Sequence, residues 1–422
     1  MKSLVIVVLT CSIIDFSSIA TASPVVPGLF SKHPLTERQV GELLIQELRC
    51  LACHRQKNAD FAGQSAPDLS YVGARISPDY LQRFLASPSS TRAGTTMPDL
   101  LADENDDQRT TIAESLTHFL IAQSSQSFAR QKVEAKEVST GKALFHSIGC
   151  VACHSPRNDQ EKETITKGVI QLTHVSGKYS LESLSSFLYQ PTSVRPSGRM
   201  PDMKLKPLEA RSIASYLIGK ADAKIEMFRP KKELVALGGR HFQRLRCASC
   251  HKLGGTPTPK PIGSFDRSDF TQGCLSLKPG KSPRFSLSES QTKAIRAALA
   301  RNLPPLKEKE QLALTLTRFN CIGCHVRDNY GGVAAQLNPH FQSSEKELGD
   351  DGRIPPPLTL VGAKLKKLTL KKVLFDGDSV RSYMATRMPQ FGKANLAHLP
   401  DLFTKLEHVT KINFELANVG RK

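Results

Sequence analysis

The sequence contains no tryptophan, and aromatic residues make up only 6% of its 422 residues. The formal charge is +19 with histidine neutral, which is compatible with an acidic partner protein, an anionic surface or a nucleic acid. Proteins that bind nucleic acids combine basic residues with aromatic side chains that stack on bases, and no basic stretch here is interleaved with aromatics. The composition therefore gives nucleic-acid binding little support and leaves an acidic partner protein or a solvated basic surface.

Long apolar runs are also absent. One apolar run lies near the N-terminus, from Leu4 to Ile14, and about 12 apolar residues cannot cross the roughly 30 Å hydrocarbon core of a bilayer. Lys2 before this run, and the small residues Ala20 and Ala22 after it, are typical of a secretory signal peptide. We therefore predict that residues 1–22 are a cleaved signal peptide, that no transmembrane segment follows, and that the protein is periplasmic or otherwise exported.

The predicted mature chain lacks cysteine pairs for a structural disulfide. Of the ten cysteines, eight lie in four CxxCH pentapeptides, Cys11 lies in the leader, and Cys274 stands alone. Exported proteins normally use cysteine for disulfides, so this distribution indicates another chemistry. About 0.007 such pentapeptides are expected by chance from this composition, so the four copies are not accidental.

The four pentapeptides are CLACH, CVACH, CASCH and CIGCH. Two thiols three positions apart can each bond one vinyl group of the same porphyrin, and the adjacent histidine then lies beneath the iron, which makes this spacing specific for c-type haem attachment. We predict four covalently attached haem c groups, held by Cys50, Cys53, Cys150, Cys153, Cys247, Cys250, Cys321 and Cys324. The predicted histidine ligands of iron are His54, His154, His251 and His325.

Two other cysteine chemistries fit this pattern less well. A zinc site needs two CxxC units in one small fold. These motifs instead lie 100, 97 and 74 residues apart, and in each a histidine directly follows the second cysteine. A thioredoxin-like dithiol needs a CxxC on a βαβ unit, and the sequence shows no alternation of strand and helix patterns.

Segments around the motifs repeat and divide the chain into modules. Glycine stands nine residues before the first cysteine in three copies, where apolar periodicity predicts a helix that leads into the motif. After the motif, APDLSYVGA, VIQLTHVSG and PPPLTLVGA align without a gap, followed by a short helix and a closing amphipathic helix. Polar linkers between these modules predict four domains, at residues 34–130, 131–228, 229–306 and 307–422.

Methionine–proline dipeptides at matched positions supply candidate sixth ligands of iron. A histidine-ligated iron that shuttles electrons needs such a ligand, and a methionine thioether raises the potential relative to a second histidine. The predicted methionine ligands are Met97, Met200 and Met388. Met384 competes with the last of these. The carbonyls of Pro67 and Pro357 are predicted to accept the free ring N–H of a haem histidine.

The third module departs from the pattern, because it has no methionine between His251 and the next motif. Ser282 aligns with Met97, and a hydroxyl is a poor iron ligand, so this haem is predicted to be five-coordinate or to use another residue. Cys274 and His241 are the alternatives, although a lone cysteine is more often a small buried hydrophobe and His241 falls on the motif helix. An open iron could bind oxygen, peroxide, nitric oxide or a sulfur compound.

With motif helix, proline loop, methionine loop and closing helix in this order, each module resembles a class I cytochrome c domain, and the chain as a whole is similar to planctomycete-type multihaem cytochromes. The resemblance implies an all-α fold, built as a tandem array of haem-binding domains. It also implies an exported electron carrier that passes single electrons between redox partner proteins. The alternative is a haem enzyme, a peroxidase or an oxidoreductase of small sulfur or nitrogen substrates, with the third haem as its open active site.

Overall fold

The structure is a computed structural model that describes residues 23–55, 66–219, 228–264, 270, 272–276, 282–300 and 304–407. The described part is mostly α-helical, as predicted, with two small two-stranded sheets. The predicted signal peptide, residues 1–22, lies outside the described ranges. Within those ranges, no helix combines the length and the apolar character that crossing a bilayer requires.

The α-helices are α1 Glu37–Glu47, α2 Val72–Arg75, α3 Pro78–Ala86, α4 Pro88–Thr91, α5 Asp106–Ala122, α6 Ala135–Ser147, α7 Val175–Lys178, α8 Leu181–Tyr189, α9 Pro191–Val194, α10 Pro207–Ile218, α11 Lys232–Arg244, α12 Glu289–Ala298, α13 Glu308–Arg318, α14 Gly349–Arg353, α15 Val361–Lys364, α16 Lys367–Lys371, α17 Lys393–Leu396 and α18 Leu399–Leu406. The strands are β1 His54–Arg55, β2 Gly263–Ser264, β3 Val326–Arg327 and β4 Tyr330–Gly331; β1 pairs with β2 in parallel and β3 with β4 antiparallel. The 3₁₀ turns are Pro27–Phe30, Cys50–Ala52, Cys150–Ala152, Cys247–Ser249, Cys321–Gly323, Ala335–His340 and Lys346–Leu348, and a π-helical turn covers Lys372–Asp376.

Helix starts are encoded locally. Thr36, Asn105 and Ser288 cap α1, α5 and α12. In each case the side chain of the cap accepts the backbone N–H three residues on, and the glutamine side chain at that position accepts the backbone N–H of the cap. Such reciprocal caps satisfy backbone donors that the first turn leaves unpaired. These residues fix where each helix begins, and they do not determine which helix packs against which.

The second predicted domain packs its own motif helix against its own closing helix, and Leu337 and Phe341 from the fourth domain complete its core. Helix α6, which leads into CVACH, packs against the closing helix α10. A Cβ added at Gly141 would lie 1.9 Å from the carbonyl oxygen of Ser212, so only glycine permits this crossing. Phe145 and Ile213 are both about 1% exposed in the core between the two helices. We call the described residues within 130–219 unit II.

The first and third predicted domains exchange their closing helices. Helix α1, which leads into CLACH, packs against α12, and α11, which leads into CASCH, packs against α5. Glycines again mark the crossings: a Cβ at Gly41 would lie 1.9 Å from the carbonyl oxygen of Ala294, and one at Gly238 would lie 2.0 Å from that of Ser115. The packing therefore crosses the predicted boundaries, and neither 34–130 nor 229–306 is a packing unit by itself.

Two composite units result from this exchange. Unit I, within 23–55 and 262–300, buries Leu43, Leu44 and Ile295 in one core. Unit III, within 66–128 and 228–253, buries Leu116 and Phe242 in another. Swapping equivalent elements between similar domains costs little, since each helix buries the same face against an equivalent partner. Unit IV, within 304–407, has its own core around α13 and α18.

A buried ion-pair network joins the units. Glu47, only 2% exposed at the end of α1, pairs with Arg199 of unit II at 3.1 Å and with Arg318 of unit IV at 3.0 Å. Arg199 also donates to the Thr96 hydroxyl of unit III at 2.8 Å. All four units therefore meet at Glu47 and Arg199, and each unit presents a motif or methionine loop to this junction.

Candidate functional site

All four CxxCH motifs adopt one local conformation. The residue before the first cysteine has a left-handed backbone, with φ of 57° at Arg49, 111° at Gly149, 56° at Arg246 and 54° at Asn320. A 3₁₀ turn follows, in which the N–H of the second cysteine donates to the carbonyl of the first at 3.2 Å in every copy. The four motifs therefore share one backbone conformation.

The histidine rings are oriented by backbone acceptors. The Nδ1 atom of His154 lies 2.9 Å from the carbonyl oxygen of Ile170, and that of His325 lies 2.6 Å from the oxygen of Pro356. The prediction of Pro357 as the acceptor in the fourth module is wrong by one residue, since Pro356, not Pro357, aligns with Pro67. A ring that donates through Nδ1 keeps the Nε2 lone pair available for a metal.

The remaining two histidines show the exchange again. The Nδ1 atom of His251 lies 2.9 Å from the carbonyl oxygen of Pro67, so the proline loop that follows CLACH in the sequence serves the third motif. His54 instead pairs with Gly263 between strands β1 and β2. Burial lowers the pKa of His54, and a hydrogen bond to the Gly263 backbone offsets part of this lowering.

Burial keeps motif histidines and the first thiol of each motif neutral. It lowers the pKa of His154 and of His251 to about 4, against a weaker raising effect of their backbone hydrogen bonds. Burial also raises the pKa of the first thiol of each motif to about 12; these thiols are Cys50, Cys150, Cys247 and Cys321. Neutral imidazole is the form that ligates a metal. Within the described ranges, no group of three or more His, Cys, Asp and Glu side chains is placed to hold a metal ion alone.

One partly open cavity of about 280 Å³ lies mainly between units II and III, and a few residues of units I and IV, among them Arg49 and Asn320, complete its lining. His154 and Met200 line its part in unit II, and His251 and Met97 line its part in unit III. Most other lining residues are aliphatic or aromatic, including Leu116. The predicted histidine and methionine ligands of two of the four units are thus brought to one cavity, which Met97 shares with His251 and which the cysteines and histidine of the motif preceding Met97 in sequence do not line.

The other two units complete the set of predicted ligands. In unit IV, Met388 packs against the core that contains Cys321 of the fourth motif. Met384 forms a bridge with Ser343. In unit I, CLACH and His54 are present, and the neighbouring segment from the third module carries Cys274 and Ser282 without a methionine.

Six cationic side chains line the cavity, and no described lining residue is an aspartate or glutamate; the six are Arg49, Arg75, Arg92, Lys178, Arg195 and Arg199. The Nε atom of Arg92 is buried without a hydrogen-bond partner. Burial, reinforced by Arg195, lowers the pKa of Arg92 to about 10, and burial lowers that of Lys178 to about 8. A bound molecule with an apolar body and carboxylates would satisfy this site, and a porphyrin with its propionates has that chemistry.

The cationic cluster was missed by motif analysis, although the sequence contains a signal for it. Arg92 stands five residues before Met97 in PSSTR, and Arg195 stands five residues before Met200 in PTSVR. Each arginine follows a short helix that begins with proline, α4 or α9. Arginines at the same sequence distance from the two predicted methionine ligands indicate that both line the cavity in equivalent positions.

Comparisons with protein-family models, with curated proteins and with solved structures find no match for this chain.

Proposed function

We propose that this chain is an exported tetrahaem c-type cytochrome that relays single electrons between redox partner proteins. One observation carries the proposal: four CxxCH motifs share one local geometry, and two of them open with a methionine into a cavity rich in cations and poor in acids. The proposal retains the likeness to class I cytochrome c domains, with the first and third domains intertwined rather than strictly tandem.

Each group in the site has a separate task in this proposal. Cys150 and Cys153 would anchor the cofactor, His154, whose Nδ1 is held by the Ile170 carbonyl, would ligate its iron, and Met200 would supply a further ligand. Bound haem supplies an iron that alternates between two oxidation states. The apolar lining would exclude water, which limits reorganisation of the surroundings, and the half-buried arginines would balance the propionates.

The spatial order of the motifs supports a relay. Cys50 and Cys53 of the first motif lie close enough to Cys250 of the third that a charge on one thiol would raise the pKa of the other, and units III and II share the cavity. Asn320, which precedes the fourth motif, donates from Nδ2 to the Ala152 carbonyl at 2.9 Å and to Cys153 Sγ at 3.3 Å. We infer the order first, third, second and fourth motif, which differs from the order in the sequence.

An acidic partner has a candidate docking surface beside the fourth motif. Residues 359–375 contain five lysines and no acid before Asp376. Lys364, Lys366, Lys371 and Lys372 are exposed, and Leu368 among them is 67% exposed. Lysines around an exposed apolar side chain can steer and orient an acidic protein. This surface adjoins Leu358 and Val361, which pack on the core of unit IV.

The proposal is tested on protein exported by a host that attaches haem c. We expect a pyridine haemochrome assay to count four haems per chain and the intact mass to exceed that of the polypeptide by four haems. Replacing both cysteines of one motif by alanine should remove one haem, whereas Cys274→Ala should remove none. Colourless protein at the mass of the bare polypeptide would contradict the proposal. Turnover of peroxide at a rate typical of enzymes would favour the haem-enzyme alternative.

A further inference from the structure

The methionine loops pair with one another in a fixed register. Asp202, two residues after Met200, and Gln390, two residues after Met388, exchange two backbone hydrogen bonds of 2.9 Å. Between units III and I, Asp99, two residues after Met97, exchanges backbone hydrogen bonds of 2.7 and 2.9 Å with Arg284. The residue two positions before Arg284 is Ser282. The register therefore places Ser282 where the other three loops carry methionine.

The exchange of helices decides which motif this serine faces. Phe285 and Leu287, which follow Ser282, pack in the core of unit I together with Cys50. Leu275 packs in the same core, and the neighbouring Cys274 interacts with Cys50 and Cys53. The segment without methionine thus belongs with the first motif, although it follows the third motif in sequence.

Met97 belongs with the third motif by the same evidence. It shares the cavity with Cys247, Cys250 and His251. His251 is oriented by the carbonyl of Pro67, from the same stretch of chain as Met97. His241, the other alternative ligand, lies on α11 in unit III and so has no place opposite His54.

We propose that the haem held by Cys50, Cys53 and His54 would lack a sixth protein ligand, because Ser282 stands where the other loops carry methionine, and that Met97 would ligate the iron of the haem held by His251. This inference rests on the proposed function, since it needs the haems to be attached. It moves the open iron from the third motif, where the sequence places it, to the first.

The surroundings of the open position favour a small neutral ligand. Ser282 and Cys274 supply a hydroxyl and a thiol, and Leu275, Phe285 and Leu287 supply apolar surface. By contrast, five of the six cations that line the cavity belong to units II and III, and only Arg49 comes from unit I. Carbon monoxide and nitric oxide on ferrous iron have the chemistry that this environment accommodates, and carbon monoxide is the probe for the test.

The test compares two variants that each lose one haem. In the reduced wild-type protein, carbon monoxide should shift the spectrum of one haem in four. Cys50→Ala/Cys53→Ala should abolish that shift, because the haem with the open position is gone. Its matched control, Cys247→Ala/Cys250→Ala, should keep the shift at one haem in three. The opposite pattern, with the shift lost only in the control, would overturn the inference while leaving haem attachment intact.

A second pair of measurements does not depend on variants that lack a haem. Met97→Ala should raise carbon monoxide binding from one haem to two, and hydrogen exchange should quicken in residues 245–253 around His251, with residues 49–55 unchanged. Ser282→Met should abolish binding in an otherwise unaltered chain. Faster exchange in 49–55 with 245–253 unchanged would show that Met97 serves His54, and the assignment would be wrong. A colourless wild-type protein would instead contradict the proposed function.

Discussion

The exchange of helices between units I and III can be tested at a single methyl group. Gly238 on α11 faces α5, and a Cβ there would lie 2.0 Å from the carbonyl oxygen of Ser115 and 2.6 Å from Cβ of Phe119. A carbon and a carbonyl oxygen in contact stand about 3.3 Å apart, so Gly238→Ala must push the two helices apart by roughly 1.3 Å. The neighbouring Gly239 faces only the ring of Phe119, at 3.4 and 3.5 Å, which is ordinary contact.

Gly239→Ala is therefore a matched control. Both variants gain the helix propensity of alanine, about 1 kcal/mol over glycine, and this gain cancels in their comparison. The difference is the cost of overpacking at Gly238, about 1–3 kcal/mol. If local opening follows the same free energy, amide exchange in the affected helices should be roughly 5- to 150-fold faster in Gly238→Ala than in Gly239→Ala.

The assay is hydrogen exchange read peptide by peptide in the haem-loaded protein. Faster exchange is expected in α5 and α11, and no change is expected in α1 and α12, because those helices pack in unit I. If the domains were contiguous, α11 would instead pair with α12. Faster exchange in α12 with α5 unchanged would refute the exchange and, with it, the assignment of Met97 to His251.

Three further predictions concern charged and titrating groups. Arg92→Met removes a cation from the cavity. It should lower the midpoint potential of a neighbouring haem by roughly 50 mV in a redox titration. An unchanged potential would mean that this arginine is far from any haem. Glu47→Gln leaves two largely buried arginines without their carboxylate and should cost about 2–4 kcal/mol in urea unfolding, against less than about 1 kcal/mol for Glu37→Gln in an exposed pair with lysine. Burial alone would raise the pKa of Tyr179, but Lys178 and neighbouring arginines lower it to about 7. Between pH about 7 and the ordinary tyrosine pKa of about 10, the unfolded chain holds a proton that the folded chain has lost. Stability should therefore rise with pH over this range. ¹³C-labelled tyrosine in the reduced protein should titrate near 7 and shift upwards in Lys178→Met, and titration near 10 in the unaltered protein would contradict this account.

The candidate site was predictable wherever its signal is local. The CxxCH motifs, the methionine loops and the glycine before each of three motifs lie within short stretches, so their pattern survives whatever the chain does elsewhere. The cationic cluster was within reach for the same reason, as the two arginines stand at one distance from their methionines. The meeting of these cations was not, since a sequence does not show that six cations from three units line one cavity.

The sequence by itself determined the helices, their caps, the form of the motif turns and the absence of a methionine in one of four copies. Only the tertiary structure decided that α5 packs on α11 and α12 on α1, so that Met97 and the first motif lie in different units. The physical reason is that similar modules present similar apolar faces: a helix stabilises either partner by nearly the same burial, and the choice depends on how linkers and neighbouring units position the ends of the chain. Contacts at Glu47 and along the paired loops of Asp99 and Arg284 are made only in the assembled molecule, and these long-range contacts have no periodicity that could be read in advance.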